Sequence, residues 1–325
     1  GGNAGEGRKG SQRKGEKSMI FASVEDLIGK TPLLYADRFG KAYGVTARLA
    51  VKLESRNPGG SAKDRVALWM IREAERRGEI KPGATLIEAT SGNTGIGLGV
   101  VAAARGYRVI LTMPDTMSVE RRKILGALGV EIVLTDGTLG MAGSNDKAEE
   151  LLSSIPGSRR MLQFENPDNP KAHEETTGPE IWADSEGRVG ALVAGVGTGG
   201  TVCGAGRYLK SRNPDIRVAA VQPAESPVLT GGAAGPHGIQ GIGANFVPKN
   251  YDPSVVDEVI SVTTAEALEA AKRFMRAEGI LCGISGGAAL CGAAKLSAEH
   301  GGNAGLIVAI LPDTGERYLS TALFE

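Results

Sequence analysis

Lys63, in the run Ser61-Ala62-Lys63-Asp64-Arg65, is the residue best placed to do chemistry. An apolar run over 49–54 reads as a strand and Asn57-Pro58-Gly59-Gly60 as a turn. Ser61, followed three residues on by Asp64, reads as a capping-box-like start to a helix over 63–77. The amine then sits in the first helical turn, where the positive end of the helix dipole disfavours an ammonium. In a dry site its pKa falls toward neutrality. Such an amine suits Schiff-base chemistry on a carbonyl cofactor. Asp64 and Arg65 read as structural, a cap and an ion-pair partner. Most lysines are solvated surface groups, so Lys63 by itself decides nothing.

Three glycine-rich turns give it a setting. Thr90-Ser91-Gly92-Asn93-Thr94-Gly95 follows a strand over 85–89 and opens a helix over 96–104. Hydroxyls, an amide and helix N–H groups converge there, a ready site for a carboxylate or phosphate. Gly195-Val196-Gly197-Thr198-Gly199-Gly200-Thr201 follows the apolar run 191–194 and opens a helix over 202–211. Its backbone can wrap a phosphate closely. Gly283-Ile284-Ser285-Gly286-Gly287 precedes a small-residue helix over 288–298 and offers one hydroxyl, Ser285. Any one of these could be a plain strand-to-helix turn; three with Lys63 upstream describe a site.

The elements that must hold these turns alternate along the chain. Strands are expected at 49–54, 85–89, 108–113, 131–135, 161–164, 192–196, 218–221 and 306–311. Helices such as 119–128, 146–154 and 265–278 lie between them, the last capped by Thr263 with Glu266. Apolar strands alternating with helices imply α/β architecture, mostly parallel twisted sheets covered on both faces. Ligands then bind beyond the carboxyl ends of the strands, where the glycine turns lie.

Composition narrows the function. The 325 residues can hold two domains, and 37 basic against 37 acidic residues give no field to draw nucleic acid or an anionic membrane. Cys203, Cys282 and Cys291 form no CxxC, and three do not suggest a disulfide framework. Cys282 reads as a small buried hydrophobe. His173, His237 and His300 lie far apart, so no metal site is expected. A reduced cytoplasmic setting fits this cysteine usage; no apolar run reaches membrane-spanning length and no secretory signal is visible. Residues 1–18 are basic and carry no aliphatic side chain larger than alanine, the composition of a flexible tail or an added segment, with Met19 a natural start.

With these residues in hand, the chain resembles the pyridoxal-phosphate enzymes of the tryptophan-synthase β-type fold (fold type II). Among them it is most similar to the cysteine synthases (O-acetylserine sulfhydrylases). The likeness runs from about Val24 to Phe324. It is carried by Ile28-Gly29-Lys30-Thr31-Pro32-Leu33, Asn57 to Arg65, Thr90 to Gly95, Met117 to Lys123 and Gln163-Phe164-Glu165-Asn166-Pro167. Thr176-Thr177-Gly178-Pro179-Glu180-Ile181-Trp182, Gly241-Ile242-Gly243-Ala244, Gly283-Ile284-Ser285 and Pro312 to Tyr318 complete it.

The resemblance implies two three-layer αβα domains: a smaller, mobile, substrate-side domain over 55–162, and a larger phosphate-binding one from 19–54 with 163–325. It implies that Lys63 carries pyridoxal 5'-phosphate as a Schiff base. Asn93 would bond the ring oxygen, Gly197, Thr198, Gly199, Gly200 and Thr201 the phosphate, and Ser285 the pyridine nitrogen. Thr90, Ser91, Gly92, Thr94 and Gln163 would hold the substrate carboxylate. The implied reaction is β-replacement, O-acetyl-L-serine and sulfide giving L-cysteine and acetate, with Lys63 as general base. A hydroxyl at the pyridine nitrogen makes the ring a milder electron sink than an aspartate would, which favours β-elimination. A homodimer is implied, and a serine acetyltransferase C-terminal tail as a partner.

Departures and alternatives remain. Ala62 stands where the family commonly has a bulkier valine and Asn245 where it often has glycine; Gly287 follows Gly286 in a looser loop than a serine would give. Asn245 either alters substrate entry or is a solvent-facing turn amide. Gly195, Gly197 and Gly200 also fit GxGxxG, but the next strand ends in Gln222-Pro223, with no acid to hold a ribose, which weakens a dehydrogenase reading. Cystathionine β-synthase or O-phosphoserine sulfhydrylase activity on the same fold is a further alternative. No extra arginine accompanies Gly241 to Phe246 to meet a substrate phosphate, and no regulatory domain is expected after residue 325; both favour O-acetylserine. A non-catalytic partner-binding protein is the distant alternative, opposed by the intact Lys63.

Overall fold

Two sheets account for the expected alternation. The computed structural model describes residues 20–117 and 119–325; the expectations for 1–18 and Met19 lie outside the described residues. Leu33–Tyr35 (β1), then Asp37–Tyr43 (α1), lead to Leu49–Leu53 (β2), antiparallel to β1. The chain then leaves for the smaller sheet. Lys63–Arg76 (α2) precedes Thr85–Ala89 (β3), Asn93–Arg105 (α3) leads to Arg108–Pro114 (β4), and Val119–Ala127 (α4) to Glu131–Thr135 (β5). Gly140–Ser154 (α5) leads to Arg159–Arg160 (β6). The order is β5-β4-β3-β6, all parallel.

The return passes through Asp168–Ala172 (α6), a π-helical turn at His173–Thr177 and Gly178–Asp184 (α7). Val189–Gly195 (β7), Gly200–Arg212 (α8), Arg217–Pro223 (β8) and Glu258–Val262 (β9) follow. Thr264–Glu278 (α9), Ile284–His300 (α10) and Leu306–Leu311 (β10) complete the chain's regular elements. The larger sheet runs β1-β2-β10-β7-β8-β9, parallel apart from β1.

Successive strand residues serve opposite cores, which is why these strands read as continuous apolar runs. On β7, Ala191 and Val193 pack with Phe274 and Leu290 of α9 and α10. Leu192 and Ala194 pack with Ile181, Val202 and Leu209 of α7 and α8. On β3, Leu86 joins Val66, Met70 and Leu98 of α2 and α3, while Ile87 joins Ala148 of α5. Each sheet is thus a three-layer αβα body.

The structure departs from the sequence reading in three places. No strand forms over 161–164: Leu162 takes φ +55°, and the amides of Met161, Leu162 and Gln163 donate to the Glu88 carboxylate at 3.1, 2.9 and 3.2 Å. β1 and β9, both edge strands, were not foreseen. The start of α2 is not a capping box, because Ser61 Oγ accepts from Lys63 N and Asp64 turns away to accept from Gly59 N. The Thr263–Glu266 box of α9 is present. Cys203, Cys282 and Cys291 are all buried and unpaired, and burial pushes each thiol up.

Candidate functional site

The glycine turns meet in one cleft of about 920 Å³ at the carboxyl ends of the strands. Thr90, Ser91, Gly92, Asn93 and Thr94 line it from the β3–α3 turn, Gly197, Thr198, Gly199 and Thr201 from the β7–α8 turn, and Ser285 from the start of α10. Lys63, at the start of α2, and Gln163 complete the set. Gly200 alone of the predicted residues is not on the wall; a Cβ there would fall 2.0 Å from Asn169 Oδ1.

Lys63 is aimed by what surrounds its backbone. Gly97 of α3 passes directly beneath, where a Cβ would lie 2.7 Å from Lys63 O. Two residues on, Arg65 is clamped by Glu54 (Nε–Oε2 2.7 Å, Nη2–Oε1 2.9 Å), by Glu180 (both bonds 2.7 Å) and by Thr31 Oγ1 at 3.0 Å. Lys52 joins this buried network through Glu180 Oε2 at 2.8 Å. Burial alone would raise the Glu180 carboxyl, but Arg65 and Lys52 bring it down to about 2; Glu54 is likewise held below the ordinary range by Arg65. The ion-pair role expected of Arg65 is therefore present, and it fixes the first turn of α2.

The Lys63 amine faces Thr198 Oγ1 at 3.5 Å and makes no ion pair among the described residues. Burial lowers its pKa to about 8. The other polar groups are ordered around it. Thr94 Oγ1 donates to Gln163 Oε1 at 2.5 Å, and Gly92 N donates to Thr90 Oγ1 at 3.2 Å. Asn93 gives one amide hydrogen to Asp313 Oδ2 at 2.8 Å and accepts from Arg317, leaving its second hydrogen uncommitted. Asp64 and Asp313 are raised by burial, Asp64 to about 7.

These residues fit a pyridoxal phosphate. Ser285 is 3% exposed, lines the cleft and makes no side-chain hydrogen bond among the described residues, so its hydroxyl is open to a ring nitrogen. Gly197 has room for no Cβ, which would meet Gly241 O at 2.4 Å, so the wall there is bare backbone. Next to it, the first turn of the 13-residue α8 offers N–H groups with no carbonyl of their own helix to bond.

A family model described as pyridoxal-phosphate dependent enzyme matches residues 24–313. The chain belongs to that family. It is 52% identical to cysteine synthase A of Escherichia coli (strain K12) over 316 residues, 94% of this chain and 96% of that protein. A crystal structure of cysteine synthase (OASS) from Entamoeba histolytica superposes with TM-score 0.89 at 43% identity, covering 98% of this chain and 94% of that one. An O-acetylserine dependent cystathionine beta-synthase from Helicobacter pylori gives TM-score 0.88 at 38% identity, covering 95% and 100%. The chain is thus a pyridoxal-phosphate dependent enzyme of α/β fold type II.

Sequence reasoning missed four contributors. Glu88, the lone charge in the apolar run 85–89, organises the Gln163 loop through the three bonds above; that isolated charge was the available signal. Asn169 and His173 sit behind the glycine loop and carry no local signature. Arg121 of α4 reaches Gln240 Oε1 at 2.8 Å and Ser91 O at 3.4 Å. This arginine touches the residue just before the 241–246 loop but does not line the cleft. Asn245 takes φ +65° and accepts from Ser226 Oγ at 2.7 Å; its side chain is not on the cleft wall, which favours the turn-former reading.

Proposed function

We propose that the protein is a cysteine synthase that replaces the acetate of O-acetyl-L-serine with sulfide, giving L-cysteine. The observation that carries the chemistry is the Lys63 amine, desolvated in the cleft and 3.5 Å from Thr198. Similarity to the cysteine synthases supports the choice of substrates. When bound, pyridoxal phosphate supplies a carbonyl for the substrate amine and a conjugated ring that spreads the charge left by the α-proton.

The chain's residues do the rest. Lys63 holds the cofactor at rest, removes the α-proton once displaced and returns it after sulfide has added at the β-carbon. Ser285 meets the ring nitrogen with a neutral hydroxyl, and Asn93 gives its free amide hydrogen to the ring oxygen. Gly197, Thr198, Gly199, Gly200 and Thr201 hold the phosphate. Thr90, Ser91, Gly92, Thr94 and Gln163 hold the substrate carboxylate. That binding draws a smaller domain, 55–162, toward the rest (19–54 with 163–325) and excludes water. We further propose a cytoplasmic homodimer that accepts a serine acetyltransferase C-terminal tail in the cleft. No helix among the described residues is long and apolar enough to cross a membrane.

Incubation with O-acetyl-L-serine and sulfide should yield cysteine and acetate in equal amounts, and Lys63→Ala should lower turnover by at least about 10²–10⁴-fold. Full turnover in Lys63→Ala would refute the assignment. A second reading, cystathionine synthesis from O-acetylserine, is favoured by the Helicobacter pylori neighbour. Competition between sulfide and larger thiols, with the products quantified, separates the two.

A further inference from the structure

The segment 168–177 carries two buried side chains that meet the hydroxyls of the glycine loop from the protein side. Asn169 donates Nδ2 to Gln163 O at 2.8 Å and to Thr198 Oγ1 at 2.9 Å. A carbonyl can only accept, so the amide nitrogen must face this way, even though Oδ1 is left buried without a partner. Gly200 N also donates to Thr198 Oγ1, at 3.4 Å. Approached by N–H groups from behind, the Thr198 hydroxyl has its own proton left for the cleft.

One helical turn on, the fully buried His173 lies between Thr177 Oγ1, 2.8 Å from Nδ1, and Thr201 Oγ1, 3.2 Å from Nε2. Burial, reinforced by Arg65 and Lys63, lowers its pKa to about 3, so the ring is neutral and has one N–H. Thr177 is buried and makes no other side-chain hydrogen bond among the described residues. Its proton is used only if it donates to Nδ1, which leaves the hydrogen on Nε2, directed at Thr201. The π-helical turn His173–Thr177 lies at this contact. Gly204 lets α8 rest directly on the segment, since a Cβ there would fall 2.0 Å from Pro170 O.

We propose that Asn169 and His173 are positioning residues that hold Thr198 and Thr201 as acceptors from behind, so that both hydroxyl protons point at the cofactor phosphate. The proposal rests on the phosphate lying at 197–201.

Nitrogen-15 NMR of the holoenzyme should find His173 neutral with the proton on Nε2; an Nδ1–H tautomer or an imidazolium overturns the proposal. His173→Leu should weaken pyridoxal phosphate binding about tenfold and move its phosphorus-31 resonance. His173→Gln, whose amide nitrogen can stand where Nε2 stands, should keep most of the affinity. Wild-type affinity in His173→Leu overturns the proposal, and if that variant does not fold, the tautomer spectrum decides alone. Thr201→Val separates the two layers. If it leaves affinity and resonance unchanged, the phosphate site itself is misassigned and the proposal falls with it. If it changes both while His173→Leu changes neither, only the role of His173 falls.

Discussion

A buried amine without a counter-charge is what turns Lys63 from a surface cation into a base. Because burial lowers its pKa to about 8, the cofactor-free protein should take up pyridoxal phosphate faster as pH rises and the amine loses its proton, with a midpoint near that value. A rate of cofactor uptake that stays flat from pH 6 to 9 would contradict this. Ser285→Asp should give the ring a charged partner and divert turnover toward side products. An unchanged product spectrum would count against the role given to that hydroxyl. His173 also bears on stability. Its pKa is lowered from 6.5 to about 3, so the unfolded chain binds a proton that the fold refuses. Stability is intact above about 6.5 and falls as pH drops toward 3. The melting temperature of His173→Gln should therefore fall less between pH 7 and pH 5 than the wild type's, and calorimetry at the two values checks it.

At the scale of elements, the site depends on how closely α2 and α3 pack and on the clamp beneath α2. Gly97→Ala should cost about 1–3 kcal/mol and weaken the cofactor, because the Lys63 carbonyl has nowhere to go. Arg65→Ala leaves the buried Glu54 without its ion-pair partner and takes one of two cations from Glu180, and should cost about 3–5 kcal/mol by denaturant titration. Much of this scale was legible in the sequence. Glycine and hydroxyl runs directly after strands marked the first two turns, a glycine run before a small-residue helix marked the third, and most parallel strands read as largely apolar stretches. The two edge strands of the larger sheet did not: Leu33–Tyr35 is three residues long and Glu258–Val262 is only partly buried. The error at 161–164 has the same root, since a carboxylate from β3 captures amides that local pattern assigns to a ladder. Asn169, His173 and Arg121 gain their meaning only from partners 29, 28 and 119 positions away.

For the whole molecule, the cleft stands where two sheet bodies meet, and Arg121 ties α4 of one to Gln240 of the other. A non-reacting amino acid bound through its carboxylate should slow amide exchange across 119–127, and Arg121→Ala should blunt that slowing; identical exchange in both proteins would remove the closure proposal. The interior also decides what happens to the chain's own sulfur. Cys203, Cys282 and Cys291 are sealed and kept as protonated thiols, so a disulfide dye should titrate none of them in the native protein and all three after denaturation. An enzyme that works amid hydrosulfide meets persulfides and mixed disulfides as a daily hazard. This one offers them no exposed thiol, so its sulfur meets that medium only when the chain unfolds.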